Sequence, residues 1–321
     1  MVSVELSIII VNWNGLHLLE QCLASLSVCP PKVEHEIIIV DNASTDDSRE
    51  WLRERASLDH RIKIIENEVN LGFAKANNIA FRKASGAFFL LLNSDTVVKE
   101  GAIDILLEGL KSDPSIGACG PKLLNPDGSL QVSVWRNPPT PLELLISGLR
   151  LYKLIPKKWR GRLFLGPHWD HSTRREVRFL SGAALLVRKE VVENVGGLDE
   201  KYHMYHEDVE WCLRIHRAGW KMVFEPRAEI VHYGGQSSKK RWGDLDAIRV
   251  RTEASLMFQY SNLPRWHYIS NMLAQTAVLL CEAAWRRIKG KPRADVELAL
   301  KLHLGYLWDH LTNRRRNSAR A

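Results

Sequence analysis

Four short apolar runs constrain what this chain can fold into. They lie at Ser7–Trp13, Glu36–Asn42, Ile62–Glu66 and Phe88–Leu92, each of strand length, with helix-patterned segments between them. Continuous apolar runs suit strands covered on both faces, as in a parallel sheet. Asn14-Gly15 leads into a helix to about Leu26, and Ala43–Asp47 supplies loop and N-cap for a helix through Leu58. Asn70–Phe73 turns into a helix ending near Ser85-Gly86. The resulting β-α-β-α-β-α-β rhythm predicts an α/β fold with a parallel, doubly wound sheet. Ligands of open α/β sheets bind beyond the carboxyl ends of the strands. The fourth run ends there in Asn93-Ser94-Asp95. Asp95 so placed can hold a divalent metal on a nucleotide-linked substrate. The same triplet also reads as a turn followed by a helix cap.

The pattern changes after a helix over Gly101–Ser112. Ile116–Leu124 and Leu130–Arg136 flank Asn125-Pro126-Asp127-Gly128 and predict a hairpin. Pro138–Pro141 closes the first half, and residues 142–176 form a basic, Trp-containing stretch with little periodicity. Phe179–Arg188 reads as a strand interrupted by Ser181-Gly182. Gly196–Asp199 leads to a helix opening at Glu207-Asp208, with an apolar stripe of Val209, Cys212, Leu213 and His216. Two short strands are expected at Lys221–Glu225 and Ala228–His232, then amphipathic helices from Asp244. The expected organisation is a catalytic domain over 1–243, with halves 1–113 and 114–243, and a helical extension over 244–321.

Charge is unevenly spread. The net charge is +8, with +7 in Arg286–Ala321 and +6 in Pro141–Arg178, which leaves the rest of the chain net acidic. Two basic segments on an acidic body suit an anionic surface or a phosphorylated ligand. The helix over Trp266–Ile288 has an apolar body, tryptophans near both ends and Arg286, Arg287 and Lys289 at its end. It reads either as an interfacial helix on an anionic membrane or as a helix packed on the protein with a solvated basic end. The apolar segment Tyr268–Trp285 contains Asn271, Gln275 and Glu282, so a spanning helix is not expected. Five cysteines without metal-like spacing, and a start that opens a strand rather than a signal peptide, predict reduced thiols in a cytoplasm. No nucleic-acid recognition motif accompanies the charge.

Three further residues can carry chemistry. Asp41 ends the second strand, level with Asp95, where a carboxylate can accept from a base N–H or a ribose hydroxyl; turn chemistry with Asn42 is the other reading. The first strand lacks both the dinucleotide Gly-x-Gly-x-x-Gly and the Walker loop. Bound phosphates would therefore need a metal or basic side chains. Asp208 lies in the first turn of a helix, placed either to cap it or to take a proton from an acceptor hydroxyl. A helix N-terminus lowers a carboxylate pKa, so burial or Glu207 must offset that in a working base. His232 closes a strand before Tyr233-Gly234-Gly235, as a structural residue or a metal ligand.

Seven segments occur in order: Ser7–Gly15, Val40–Asp46, Asn70–Asn77, Leu92–Asp95, Ser181–Ala183, Gly196–Asp199 and Glu207–Arg214. Together they resemble family 2 glycosyltransferases of the GT-A fold, in the rhamnosyltransferase-like branch, over about residues 5–238. The resemblance implies inverting transfer of a sugar from a nucleotide diphosphate. It places Asn12, Asp41, Asn70, Gly72, Asn77 and Asn93 on the nucleotide side, and Gly182, Glu207 and Trp211 on the acceptor side. It makes Asp208 the base, and Asp95 and His232 the ligands of Mn²⁺ or Mg²⁺. Asn93 departs from the usual first acid of Asp-x-Asp, so Asp95 alone of the triplet is expected to ligate the metal. A dTDP- or UDP-sugar donor, a glycan or polyprenyl-diphosphate-linked acceptor and the inner face of the cell membrane follow as expected partners. Two other readings remain at this point: a sugar nucleotidyltransferase, although Asn12–Gly15 lacks that class's cation, and a catalytically silent scaffold docked to membranes.

Overall fold

The computed structural model describes residues 4–134, 139–156, 159–160, 169–234 and 243–312. It divides into two compact units: Met1–Asn137 with Trp169–Ser237, and Pro138–His168 with Ser238–Ala321.

The first unit is a mixed sheet flanked by helices. Its opening elements are β1 (Leu6–Asn12), α1 (Leu16–Val28), β2 (His35–Asp41), α2 (Ser48–Leu58), β3 (Ile62–Glu66), α3 (Phe73–Phe81) and β4 (Phe88–Asn93). β3, β2, β1 and β4 are adjacent and parallel, as the four apolar runs predict. β1 and β4 are almost wholly buried, because helices cover both faces. Then come β5 (Thr96–Val98), α4 (Ala102–Lys111), β6 (Ile116–Leu124), β7 (Arg175–Val177), β8 (Ala184–Arg188), α6 (Lys189–Val195), α7 (Glu207–Arg217) and β9 (Lys221–His232); α5 (Pro141–Gly148) belongs to the second unit.

This later half is mixed rather than parallel. The sheet continues from β4 to β8, β6, β9 and β5, with β7 also on β9. β8 is antiparallel to β4 and β6, while β6 and β9 run parallel. The hairpin expected after residue 116 shrinks to one bridge, Leu124 to Leu130, because β8 and β9 take the two edges of β6; residues 135 and 136 lie outside the described residues. The two short strands expected at 221–232 are one strand whose register shifts at Pro226, which has no N–H for the ladder. The buried face of α7 is Val209, Trp211, Cys212 and Ile215, rotated from the stripe expected there.

Near the start of β2, at the opposite end from Asp41, Glu36 is buried. It accepts from the hydroxyls of Ser7 and Ser85 and from the Ser85 N–H, and pairs with Lys63. Burial opposes its ionisation, but these partners outweigh burial and hold its pKa down at about 2.

The second unit is helical: α5 (Pro141–Gly148), α8 (Asp244–Asn262), α9 (Arg265–Ile288) and α10 (Ala294–Leu311). Leu256, Tyr268 and Met272 form its core. Thr140 and Glu143 make a reciprocal capping box at the start of α5. The Pro139 carbonyl accepts from His267 and Asn271, and Gly148 lies against Val278. These contacts attach the stretch from Pro139 to the helices, although the sequence reading places it in the catalytic domain over 1–243. Of the basic stretch, 157–158 and 161–168 lie outside the described residues, as do Gly235 and the tail 313–321.

Candidate active site

Strand register brings the candidate residues to one sheet edge. Asn12 pairs with Asp41, and Val11 with Asn93, so the carboxyl ends of β1, β2 and β4 lie level. β8 begins at the same edge: Leu92 pairs with Ala184, and the Asn93 N–H donates to the Ala183 carbonyl. Gly182, next along the chain, donates its N–H to Asp208 Oδ2 at 3.0 Å. The β5–β9 pairing sets Thr96 opposite His232, and the Tyr233 N–H donates to the Asp95 carbonyl.

That last pairing joins two residues far apart in sequence. Asp95 Oδ1 lies 3.2 Å from His232 Nε2. Asn93 Nδ2 lies 3.3 Å from the same nitrogen, and Asn93 Oδ1 is buried with no partner among the described residues. Gln131 faces the other side of the ring, with Oε1 2.6 Å from Nδ1. A carboxylate oxygen and an imidazole nitrogen at this spacing, beside an orphaned amide oxygen, fit a divalent metal. No cluster of three or more His, Cys, Asp and Glu side chains forms a complete cage among the described residues.

The base candidate is fixed by backbone. Asp208 Oδ2 accepts from Gly182, and Oδ1 from the N–H of Val209. A Cβ on Gly182 would sit 3.2 Å from Asp208 Cβ, which accounts for glycine there. Burial raises the Asp208 pKa, and the two N–H bonds only partly oppose it. Glu207 is raised too, by burial first and then by the Asp208 charge, and its Oε2 has no partner among the described residues. Burial thus outweighs the helix terminus. Nucleophilic chemistry at Cys22, Cys119 and Cys212 has no support, because burial pushes these thiols up to about 12.

The family model for glycosyl transferase family 2 matches residues 7–196. The chain belongs to this family. Among its relatives, the N-acetylglucosaminyl-diphospho-decaprenol L-rhamnosyltransferase of Mycobacterium tuberculosis is 30% identical over 257 residues, covering 73% of this chain and 77% of the relative. The low-salt glycan biosynthesis hexosyltransferase Agl10 of Haloferax volcanii is 26% identical over 66% of this chain and 62% of its own length. A mannosyltransferase from Pyrobaculum calidifontis, solved with GDP-Man and Mn²⁺, superposes with a TM-score of 0.58 at 17% identity, over 94% of this chain and 80% of that one. GalNAc-T7, solved with UDP, GalNAc and Mn²⁺, gives 0.55 at 20% identity, over 72% of this chain and 43% of that one. The fold is GT-A, and the protein is a family 2 glycosyltransferase.

Several residues expected on the ligand side of this glycosyltransferase have other tasks. Trp211 is fully buried against Phe81 and donates its indole N–H to the Gly196 carbonyl. It is a core residue, which corrects the acceptor contact expected of it. Asn77 is also buried and donates to the Phe73 carbonyl of its own helix, which corrects its nucleotide-side assignment. Asp41 is fully buried, accepting from Arg49 at 2.8 Å, the Ser44 N–H at 2.9 Å and Asn12 at 3.3 Å. It organises the turn, and a base or ribose reaches it only by displacing one of these partners. Asn12 is equally buried, but its Oδ1 has no partner among the described residues; a Cβ on Gly15 would lie 3.0 Å from that oxygen. Asn70 accepts from Asn42 and from the Gly72 N–H, and so holds the loop into α3.

Arg49 and Gln131 are absent from the sequence reading, and Asn42 enters it only as turn chemistry beside Asp41. Asn42 bonds Asn67, Asn70, Leu71 and Gly72 and ties β2 to that loop. Its place beside Asp41 at a strand end was the one signal available. Arg49 and Gln131 carried none.

Proposed function

We infer that this glycosyltransferase moves a sugar from a nucleotide diphosphate to an acceptor hydroxyl with inversion, using Asp208 as base and a divalent metal held by Asp95 and His232. The observation that carries this reading is a backbone-fixed carboxylate of raised pKa at the sheet edge that also presents the Asp95–His232 pair. When bound, the metal neutralises charge growing on the departing diphosphate. Two protein ligands suit a site that the donor's phosphates complete, and an imidazole ligand favours Mn²⁺ over Mg²⁺. Asp208 accepts the proton of the acceptor hydroxyl on the face opposite the leaving group, so one displacement inverts the anomeric centre. The raised pKa strengthens Asp208 as a proton acceptor at neutral pH. Asn12 Oδ1 and Asn93 Oδ1, both buried without partners, offer acceptors to donor hydroxyls.

The mycobacterial relative is named for L-rhamnose transfer to a decaprenyl-diphosphate-linked sugar, which makes dTDP-rhamnose the first donor and a polyprenyl-diphosphate glycan the first acceptor for this chain. An acceptor of that kind lies in a bilayer, and the second unit supports an anionic membrane surface as partner. Trp266, Leu273 and Leu280 recur at seven-residue intervals on α9, all more than half exposed, and Ile288 is 81% exposed. Arg287, Lys289 and Lys291 surround that end of the helix, with Lys291 over the Trp285 ring. Among the described residues no helix is long and apolar enough to cross a membrane. The proposed location is therefore peripheral, on the inner face of the cell membrane.

The test is turnover of nucleotide sugars, followed by release of nucleoside diphosphate with a metal titration. Asp95→Ala and Asp208→Asn, each with an unchanged circular dichroism spectrum, are expected to lose about 100-fold or more in kcat. Wild-type rates in both would sink the mechanism. Turnover of UDP-sugars alone would remove rhamnose as donor.

A further inference from the structure

Gln131 has its hydrogen bonds assigned at both ends. It follows the Asn125–Ser129 turn, and its own N–H donates to the Leu123 carbonyl, which anchors it to β6. Its Nε2 donates to Asn125 Oδ1 at 3.1 Å and to the His232 carbonyl at 3.0 Å. Both partners are oxygens that can only accept, so the amide cannot be flipped. Asn125 is held in turn by its own Nδ2, which donates to Ser129 Oγ at 2.9 Å. With both protons of Gln131 Nε2 engaged, Oε1 is left to accept, and it lies 2.6 Å from His232 Nδ1. The ring proton of a neutral His232 therefore sits on Nδ1. Nε2 is left with its lone pair, facing Asp95 Oδ1 at 3.2 Å and the Asn93 amide donor at 3.3 Å.

We propose that Gln131 is a positioning residue for the metal: it holds His232 as the Nδ1–H tautomer and aims Nε2 at a cation shared with Asp95. The proposal rests on the metal reading above. A ligating histidine is commonly oriented by the partner of its other ring nitrogen, and losing such a partner costs about 10–100-fold in metal affinity. Here that partner is a neutral amide, locked by one bond to the very residue it orients and by a second to the turn before it. The turn's position beside β9 thereby becomes part of the metal site.

The experiment measures Mn²⁺ binding to the full chain, without donor, by electron paramagnetic resonance and calorimetry. Gln131→Met keeps the side chain's length and removes its three side-chain hydrogen bonds; Gln131→Leu is the second variant should Met fold poorly. Gln131→Met is expected to weaken Mn²⁺ binding about 10-fold or more. In parallel, ¹⁵N shifts of the His232 ring are expected to show a protonated Nδ1 in the metal-free wild type and a shift toward protonated Nε2 in Gln131→Met. A purely structural role would leave the ring shifts unmoved. Asp95→Ala and His232→Ala separate the two levels of the reading. If both weaken Mn²⁺ binding and Gln131→Met does not, the Gln131 proposal fails alone. If neither weakens it, or if the wild type binds no Mn²⁺, the metal reading fails and the proposal with it.

Discussion

Glu207 and Asp208 are adjacent acids in a helix's first turn, a place that ordinarily lowers carboxylate pKa values. Burial reverses the direction for both, and Asp208 has a backbone donor from outside its own turn, the Gly182 N–H. The pair is therefore asymmetric: burial raises Glu207 first, and the Asp208 charge adds to it. The sign for stability follows. Glu207 holds a proton in the folded state at pH values where the unfolded chain, with an ordinary value of 4.5, has released it. Stability contributed by this group therefore falls as pH rises above that ordinary value. Glu207→Gln, which cannot ionise, is expected to gain in melting temperature over wild type as the buffer goes from about pH 5 to about pH 8. A difference independent of pH would show that Glu207 is ionised in the folded protein. In the same buffers, the acid limb of the kcat profile should lie above about 4, the usual aspartate value.

The helix α3 and the loop before α7 are joined by glycine geometry. Gly72 has φ +82° and ψ 171°, a region open essentially to glycine alone, and a Cβ there would sit 2.6 Å from the His203 ring. Phe73 donates its N–H to the His203 carbonyl, and Asn78 exchanges hydrogen bonds with both the N–H and the carbonyl of Leu198. Gly72→Ala is expected to destabilise the protein by about 1–3 kcal/mol from backbone strain alone, measured by denaturant unfolding. A loss under about 0.5 kcal/mol, the range of ordinary surface changes, would show that the loop can move away. The elements themselves were unevenly readable from sequence. β1–β4 announced themselves, because strands buried on both faces are apolar throughout. β5, at three residues, gave no such signal, and so the meeting of Asp95 with His232 came only from resemblance. Trp211 and Asn77 misled for a related reason: residue type in a motif does not say which way a side chain faces, and burial is set by elements distant in sequence.

Across the whole molecule, charge and apolar exposure are concentrated in the helical unit. Arg286 is held by Glu282 and Asp295, so the cations that remain to meet a surface at the end of α9 are Arg287, Lys289 and Lys291. Each Lys or Arg near an anionic surface contributes about 1 kcal/mol, and exposed apolar side chains add to that. The full-length protein is expected to float with phosphatidylglycerol vesicles and much less with phosphatidylcholine ones. Leu273→Glu with Leu280→Glu, at exposed positions outside the core, should reduce flotation about 10-fold or more, from lost apolar insertion. Equal flotation of variant and wild type would overturn the membrane reading.

The distance along the chain between Asp95 and His232 has a consequence during synthesis. The four parallel strands emerge first, and the helix carrying Asp208 and the strand ending in His232 are the last elements of the first unit to follow. A ribosome that has released only the segment matching the family model has made neither the proposed proton acceptor nor the second proposed ligand. Under this reading a nascent chain has no means of activating a nucleotide sugar, and the first competent molecule is one in which β9 has already closed the sheet.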